Sequence, residues 1–549
     1  MGFGQASAAI DLLDPGSPHR TETWVRRDET SVPLVGNVVS AGLEADLVQF
    51  KADLRQGNLR RIGLLGPILL QNHPNDPELN GYVAVFRAVN GAAAEARKSA
   101  QAAERTAGGR GLSRWAESVL RRRSGDASGA LASAREAIEI DPRHPWGWNV
   151  LGLALWDVGD RVEALVAFRK TWELEEGFLP GRLNAGGLSL ESGNHAEARV
   201  YFGKAAAQHL ECVEARYGLA LAGEGLGDLP AAIRELEAGL GLRRDDPILL
   251  PRLVELQIRS GNLDESRTGA LRMESLGISG AGIRLADVLL RSGKYAEAEK
   301  QLGKVSDRES ARFFLEGFRW LALGRLTETQ ESFEHKLRLE PGHGGTRLAL
   351  EVLRLARGEP GSKDWETMAE RPDETGRAFA FVRACRELSL TNYAAAHGHF
   401  MAATEFLPGF AMTGADRGTL EKALPPAVAG DLALGVLLYA KGMSEAARSA
   451  LDRVRAADGG CFLAEYWLGR VALGEKDFSR AGTHFERCLQ VVPTFRAGLI
   501  AAADGASRQG RFEVAAGYLR RALVVEQNSA LAQRLAEVLA KTRPGNSSR

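Results

Sequence analysis

Glycine recurs every 34 residues through the first half of this chain: Gly57, Gly91, Gly125, Gly159, Gly193, Gly227 and Gly261. Two further columns run in phase with it. Five residues on come Ile62, Ala96, Ala130, Ala164, Ala198, Ala232 and Ser266, small in every case but the first. Four residues later come Gly66, Ala100, Ala134, Phe168, Phe202, Leu236 and Ala270. An internal period of this length specifies a stacked array of supersecondary units, because a single such unit cannot bury its own apolar face.

The columns have a physical reading. Before each glycine the apolar spacing is helical, as for Leu43, Leu47, Phe50 and Leu54 in LEADLVQFKADLRQG. Glycine ends that helix by tolerating the left-handed cap conformation. A second helix follows, as in DRVEALVAFRKTWEL, where Ala164, Phe168 and Thr171 share one face. The small residue permits close helix approach, and the larger one fills the gap to the next unit. Proline twelve residues after the small position (Pro74, Pro142, Pro341, Pro408, Pro493) stops the second helix.

Beyond Gly261 the phase slips while the pattern continues. It is carried by Gly293, Ala298 and Leu302, then by Gly324, Thr329 and Phe333. Ala396, Phe400 and Ala403 continue it, followed by Leu468, Gly469, Ala481 and Phe485, and last by Ala515, Leu519 and Ala522. Pro67 falls inside an expected second helix and predicts a kink there. The expected organisation is a tail over 1–40, a first array over 41–410, an irregular insertion over 411–430, a second array with a capping helix over 431–541, and a short tail over 542–549. Pro15, Pro18 and Pro33 mark the first tail, and Pro425 and Pro426 the insertion.

The pattern resembles the tetratricopeptide repeat, whose W-x2-LG-x2-Y then A, F, A and P signature is matched by Trp148, Leu151, Gly152, Leu155, Ala164 and Phe168. It is matched again by Leu468, Gly469, Ala481, Phe485 and Pro493. The resemblance implies an all-α, right-handed superhelical solenoid of about fourteen stacked helix-turn-helix units. It also implies that first helices line a concave groove that binds a segment of another protein. Carried over unit by unit, the groove positions are Trp115, Trp146, Asn149, Trp156, Tyr217, Phe314, Phe318, Phe381, Tyr439 and Tyr466. The plainer alternative for each ring is packing between adjacent helices. Positions that grip a terminal carboxylate in some family members are mostly apolar here (Leu183, Tyr217, Ile283, Phe314, Leu348), which argues against a chaperone-tail clamp.

Chemistry is sparse. There is no HExxH, P-loop, GxSxG or CxxCH motif. Gly223, Gly225 and Gly227 look glycine-rich, but Gly227 belongs to the glycine ladder, so a turn is expected rather than a phosphate loop. His397 and His399 point about 200° apart on a helix, so one metal ion would not readily use both. Arg121, Arg122 and Arg123 read as a solvated basic face, or as half of a contact with an acidic partner. The four cysteines, Cys212, Cys385, Cys461 and Cys488, form no CxxC pair and read as reduced thiols. The 70 basic and 70 acidic side chains cancel, which argues against broad attraction to nucleic acid or an anionic membrane.

The opening MGFGQASAAIDLLDPGSPHR has no basic start leading into a long apolar core, so no secretory signal is expected. Ala6 breaks the myristoylation pattern. The expectation is a cytoplasmic, non-enzymatic scaffold or adaptor without cofactor or metal, binding one or more proteins in an apolar and aromatic groove. The alternative is a structural or assembly subunit of a larger envelope or secretion complex, held through its outer surfaces.

Overall fold

In a computed structural model of the full chain, the described residues are 42–55, 59–362, 368, 374–403, 428–526 and 528–542. The expected tail over 1–40, the core of the 411–430 insertion, and the marker Pro408 lie outside them, as does nearly all of the 542–549 tail. The described residues form 28 α-helices and no strand.

They divide into two compact units, with the boundary in the sequence between Leu249 and Leu250. The first unit begins with α1 (Leu43–Arg55) and α2 (Arg60–Asn72), the latter running unbroken through Pro67. Five helix pairs follow. These are α3 (Pro77–Val89) with α4 (Ala93–Ala103), α5 (Ala107–Arg123) with α6 (Ala127–Ile140), and α7 (Pro145–Asp157) with α8 (Arg161–Leu174). Then come α9 (Leu179–Glu191) with α10 (His195–Gln208), and α11 (Val213–Gly225) with α12 (Leu229–Leu242).

The second unit opens with α13 (Leu249–Ser260) and α14 (Leu263–Ser275), then α15 (Ala281–Arg291) and α16 (Tyr295–Leu302), then α17 (Ser310–Ala322) and α18 (Leu326–Leu339). It continues with α19 (Gly344–Ala356), α20 (Glu374–Ser389), α21 (Tyr393–Ala402), α22 (Ala429–Ala440) and α23 (Ser444–Ala457). The last helices are α24 (Phe462–Gly474), α25 (Phe478–Val491), α26 (Arg496–Arg508), α27 (Phe512–Val525) and α28 (Ser529–Thr542).

The turn within a pair shows why the glycine column exists. Gly159 has φ +89°, and its N–H donates to the Trp156 carbonyl while the Asp160 N–H donates to the Leu155 carbonyl. These bonds satisfy the last carbonyls of α7. The Asp160 side chain then accepts from the Glu163 N–H and starts α8. One turn thus ends the first helix and caps the second. Thr391 (φ +59°) and Lys476 (φ +62°) hold the same turn where the glycine is missing. A side chain at that backbone conformation is strained.

The packing columns meet as ring against glycine. A Cβ on Gly152 would lie 2.5 Å from the Phe168 ring, on Gly317 2.3 Å from Phe333, and on Gly469 2.5 Å from Phe485. Phe202 sits between two such seats, 2.7 Å from a Cβ on Gly186 and 2.4 Å from one on Gly218. The small column, from Ala96 to Ser266, is fully buried. Second-helix rings therefore reach the first helix of their own unit and, at Phe202, that of the next. Burial between successive pairs, not propensity alone, holds each helix in place.

Phe202→Ala empties a shared seat and is expected to lower the stability of the first unit by about 3–5 kcal/mol, read by denaturant unfolding. Lys476→Gly relieves the left-handed strain and is expected to raise stability by about 0.5–1 kcal/mol, seen as a higher melting midpoint.

Candidate protein-binding face

Side chains at one register of the repeat fall on successive first helices. In the first unit Trp115, Asn149, Leu183 and Tyr217, each 34 residues from the last, lie on α5, α7, α9 and α11. Eight of the ten expected groove residues are buried, and Tyr217 and Tyr439 are half-buried.

Their neighbours explain the burial. Trp115 packs on the His144 ring at 4.6 Å, and Trp146 meets Phe178 edge-on at 6.2 Å. Asn149 accepts a hydrogen bond from the Asn184 amide at 2.9 Å. Trp156 meets Phe168 edge-on, and its Nε1–H donates to Glu191 at 2.7 Å. Phe314 and Phe318 lie 5.0 Å apart, and Phe381 contacts Phe400 and Trp467. Tyr439 and Tyr466 both pack on Trp467, and the Arg470 guanidinium donates to both hydroxyls. Trp148, the signature tryptophan, is half-buried and donates to the Pro142 carbonyl at 2.8 Å.

In each unit a segment of the same chain lies on the first-helix layer. In the first unit α1 touches α3 and α7, both first helices, as well as α2. Phe50 of α1 meets Tyr82 of α3 edge-on at 5.9 Å. Phe50, Leu54, Trp115, Trp146 and Val150 belong to one apolar cluster. That layer also holds buried polar atoms without partners. Among the described residues, Trp115 Nε1, Trp146 Nε1 and Asn149 Nδ2 meet no acceptor. A buried donor left in this state costs about 1–3 kcal/mol.

In the second unit α22 packs against α19 and α20, with Gly430 close enough that a Cβ would meet the Ala356 Cα at 2.6 Å. Lys441, just past α22, is fully buried. Its ammonium lies 2.9 Å from Asp287 on α15 and 5.7 and 5.8 Å from the Phe314 and Phe318 rings. Arg291 pairs with the same carboxylate at 3.0 Å. Burial alone would raise the Asp287 pKa, but Arg291 and Lys441 outweigh it and hold the carboxyl below its ordinary range. Phe314 and Phe318, expected to look into a groove, are thus the floor of an internal cation–π site.

The ion cluster was not anticipated. Its one sequence signal is charge inside the apolar run AGIRLADVLLR, where Asp287 and Arg291 stand four apart on one face. Asn184 was also missed, since it lies one residue beyond the register of Asn149.

The other singled-out groups engage within the chain. Arg121 pairs with Glu117 at 2.8 Å, Arg122 with Asp157 at 2.6 Å, and Arg123 donates to the Val89 carbonyl. The basic run is therefore partnered internally and joins α5 to α7. All four cysteines are buried, and none is in a disulfide. Burial pushes the Cys212 and Cys461 thiols up to about 12, and raises Cys385 as well, so none of these three is a ready thiolate at neutral pH. His399 is lowered by burial and by nearby Arg383. Among the described residues no cluster of His, Cys, Asp and Glu could hold a metal, and no helix is long and apolar enough to cross a membrane.

The family model for the tetratricopeptide repeat matches residues 184–247 and 432–492. No curated protein matches the chain. Among solved structures, the chain is similar to the APC/C hetero-tetramer Cut9–Hcn1, at 15% identity over 79% of this chain and 91% of that one, with a TM-score of 0.42. It is also similar to a tetratricopeptide repeat protein from Parabacteroides merdae, at 19% identity over 44% of this chain and 98% of that one (TM-score 0.35). YrrB, described as a TPR protein with an unusual peptide-binding site, is 17% identical over 40% of this chain and 99% of its own (TM-score 0.27).

Asp287→Asn leaves two buried cations facing a neutral group and is expected to destabilise the second unit by about 3–5 kcal/mol at neutral pH. Because the folded-state carboxyl is depressed, its contribution is complete above the unfolded value of about 3.9 and is lost as pH falls through the folded value. The gap between wild type and variant, read by urea unfolding, therefore narrows on acidification.

Proposed function

This chain is a tetratricopeptide-repeat protein, and from that premise we propose that it is a protein–protein interaction scaffold holding an apolar segment of another protein on its first-helix face. Repeats of this kind generally serve binding rather than catalysis. The observation that carries the reading is the ladder of Trp115, Asn149, Leu183 and Tyr217 on four successive first helices. Side chains repeated at one register suit a partner segment that is itself regular, read at fixed intervals along its length. Tyr217 is the half-buried member of the ladder, so part of its side chain stays open to a partner.

A second reading has its own support. Val162, Val166 and Val200 are 75%, 52% and 53% exposed on the outer faces of second helices α8 and α10. Val166 and Val200 stand 34 residues apart, so the apolar surface repeats with the fold. A subunit of a larger assembly would be held there. Such a protein co-fractionates with a large particle, and Val166→Glu releases it.

Tyr217→Ala tests the first reading. Aromatic anchors at interfaces are worth about 2 kcal/mol or more, so partners recovered from the native cell should bind the variant at least about tenfold more weakly. Because Tyr217 also packs on the core, the melting midpoint should fall, but by less than for Phe202→Ala. Equal capture by both proteins would contradict the first-helix face as the binding surface.

A further inference from the structure

In an array of stacked helix pairs each pair touches only its neighbours, so stability is a sum of nearest-neighbour terms. The second unit departs from this. Helices α15 and α22 have α16 to α21 between them in the chain, yet Lys441 joins them by reaching Asp287 at 2.9 Å. The turns that follow the two helices engage as well. A Cβ on Gly442 would lie 2.7 Å from Arg291 Nη1, and one on Gly293 would lie 2.5 Å from Glu445 Oε2. Each side thus lays a charged side chain on the other's turn glycine. Both glycines hold the left-handed conformation, Gly442 at φ +81° and Gly293 at φ +71°. Only glycine combines that turn with so close an approach.

The contact closes a circuit of first helices. Helix α15 packs on α17, and Phe314 of α17 meets the His343 ring at the start of α19 at 4.9 Å. Helix α19 packs on α22, which returns to α15 through Lys441. Burial follows the circuit: every residue from Leu285 to Arg291 on α15, and from Leu432 to Leu438 on α22, is buried. Runs of that length cover all sides of a helix that turns once in about 3.6 residues. Each side brings one anion and one cation, Asp287 with Arg291 and Lys441 with Glu445, so the four groups carry no net charge.

We propose that Asp287, Arg291, Lys441 and Glu445 form a clasp that locks the second unit shut, so that α15 to α23 open as one piece. While the clasp holds, Phe314 and Phe318 are wholly buried with the Lys441 ammonium beside their rings. Its release exposes both rings together. The first-helix layer of this unit therefore has a shut state and an open one, and the ion cluster sets the balance between them. The lock belongs to the second unit and does not rest on the Tyr217 face of the first.

The test is hydrogen exchange of the full chain in sub-denaturing urea, read helix by helix, with binding of an apolar fluorescent dye as a second readout. Lys441→Met keeps the bulk of the side chain and leaves Asp287 paired with Arg291, so no buried carboxylate is orphaned. The control is Lys336→Met, a second buried lysine whose partners Glu340 and Ser310 lie in or beside its own helix pair. In wild type α15 and α22 should share one urea dependence. In Lys441→Met α15 should exchange at least about tenfold faster while α26 to α28 keep their wild-type rates, and dye binding should rise. Lys336→Met should speed α17 and α18, leave α15 and α22 in step, and bind less dye than Lys441→Met. If Lys441→Met does not fold, the wild-type comparison decides alone. Separate urea dependences for α15 and α22 in wild type overturn the proposal. So do wild-type exchange rates in Lys441→Met, or equal dye binding by the two variants, which would reduce the clasp to ordinary packing.

Discussion

The contact on which the rest depends is a second-helix side chain seated against a first-helix glycine or alanine. Phe168 on Gly152, Phe333 on Gly317 and Phe485 on Gly469 are the same contact made three times. Phe202 makes it twice, toward its own unit and the next. The glycine lets the helices approach until the ring fills the space between them, and the turn at each ladder glycine sets the angle at which they meet. Given that contact, every unit presents its first helix on one side and its second helix on the other.

That regularity creates a problem which the chain solves with itself. A layer of first helices rich in Trp, Phe and Leu is an apolar surface larger than a monomer normally leaves in water. In the first unit α1 lies on it; in the second, α22 and Lys441 do. The two solutions differ in chemistry. Lys441 satisfies a carboxylate and two aromatic rings, which is a polar network with charge partners. By contrast α1 brings mainly apolar cover, with Phe50 and Leu54 wholly buried and Asp46 buried on the same helix.

The all-α repeat fold was legible because its information is local and periodic: glycine column, small column and ring column recur at fixed offsets, so Ala164, Phe168 and Gly159 could be given roles from spacing alone. The same register placed Trp115, Asn149 and Tyr217 on first helices. What spacing does not carry is cover. Whether Phe314 faces solvent depends on Lys441, more than a hundred residues away and outside any period. The return of α1 to α7 is likewise a long-range contact with no sequence signature. Asp287 was visible as a charge in an apolar helix, but its partner Lys441 was not. Pro67 lies inside α2, which continues through Asn72.

Hydrogen exchange of the full chain, resolved by helix, bears most directly on the view that the first-helix layers are covered by the chain's own segments. The account predicts slow exchange through α5, α7, α15 and α17, with α1 opening far more readily than α22 because only α22 is followed by a buried ion cluster. Equally fast exchange in α22 and α1, or first helices that exchange as quickly as α1 itself, would contradict it.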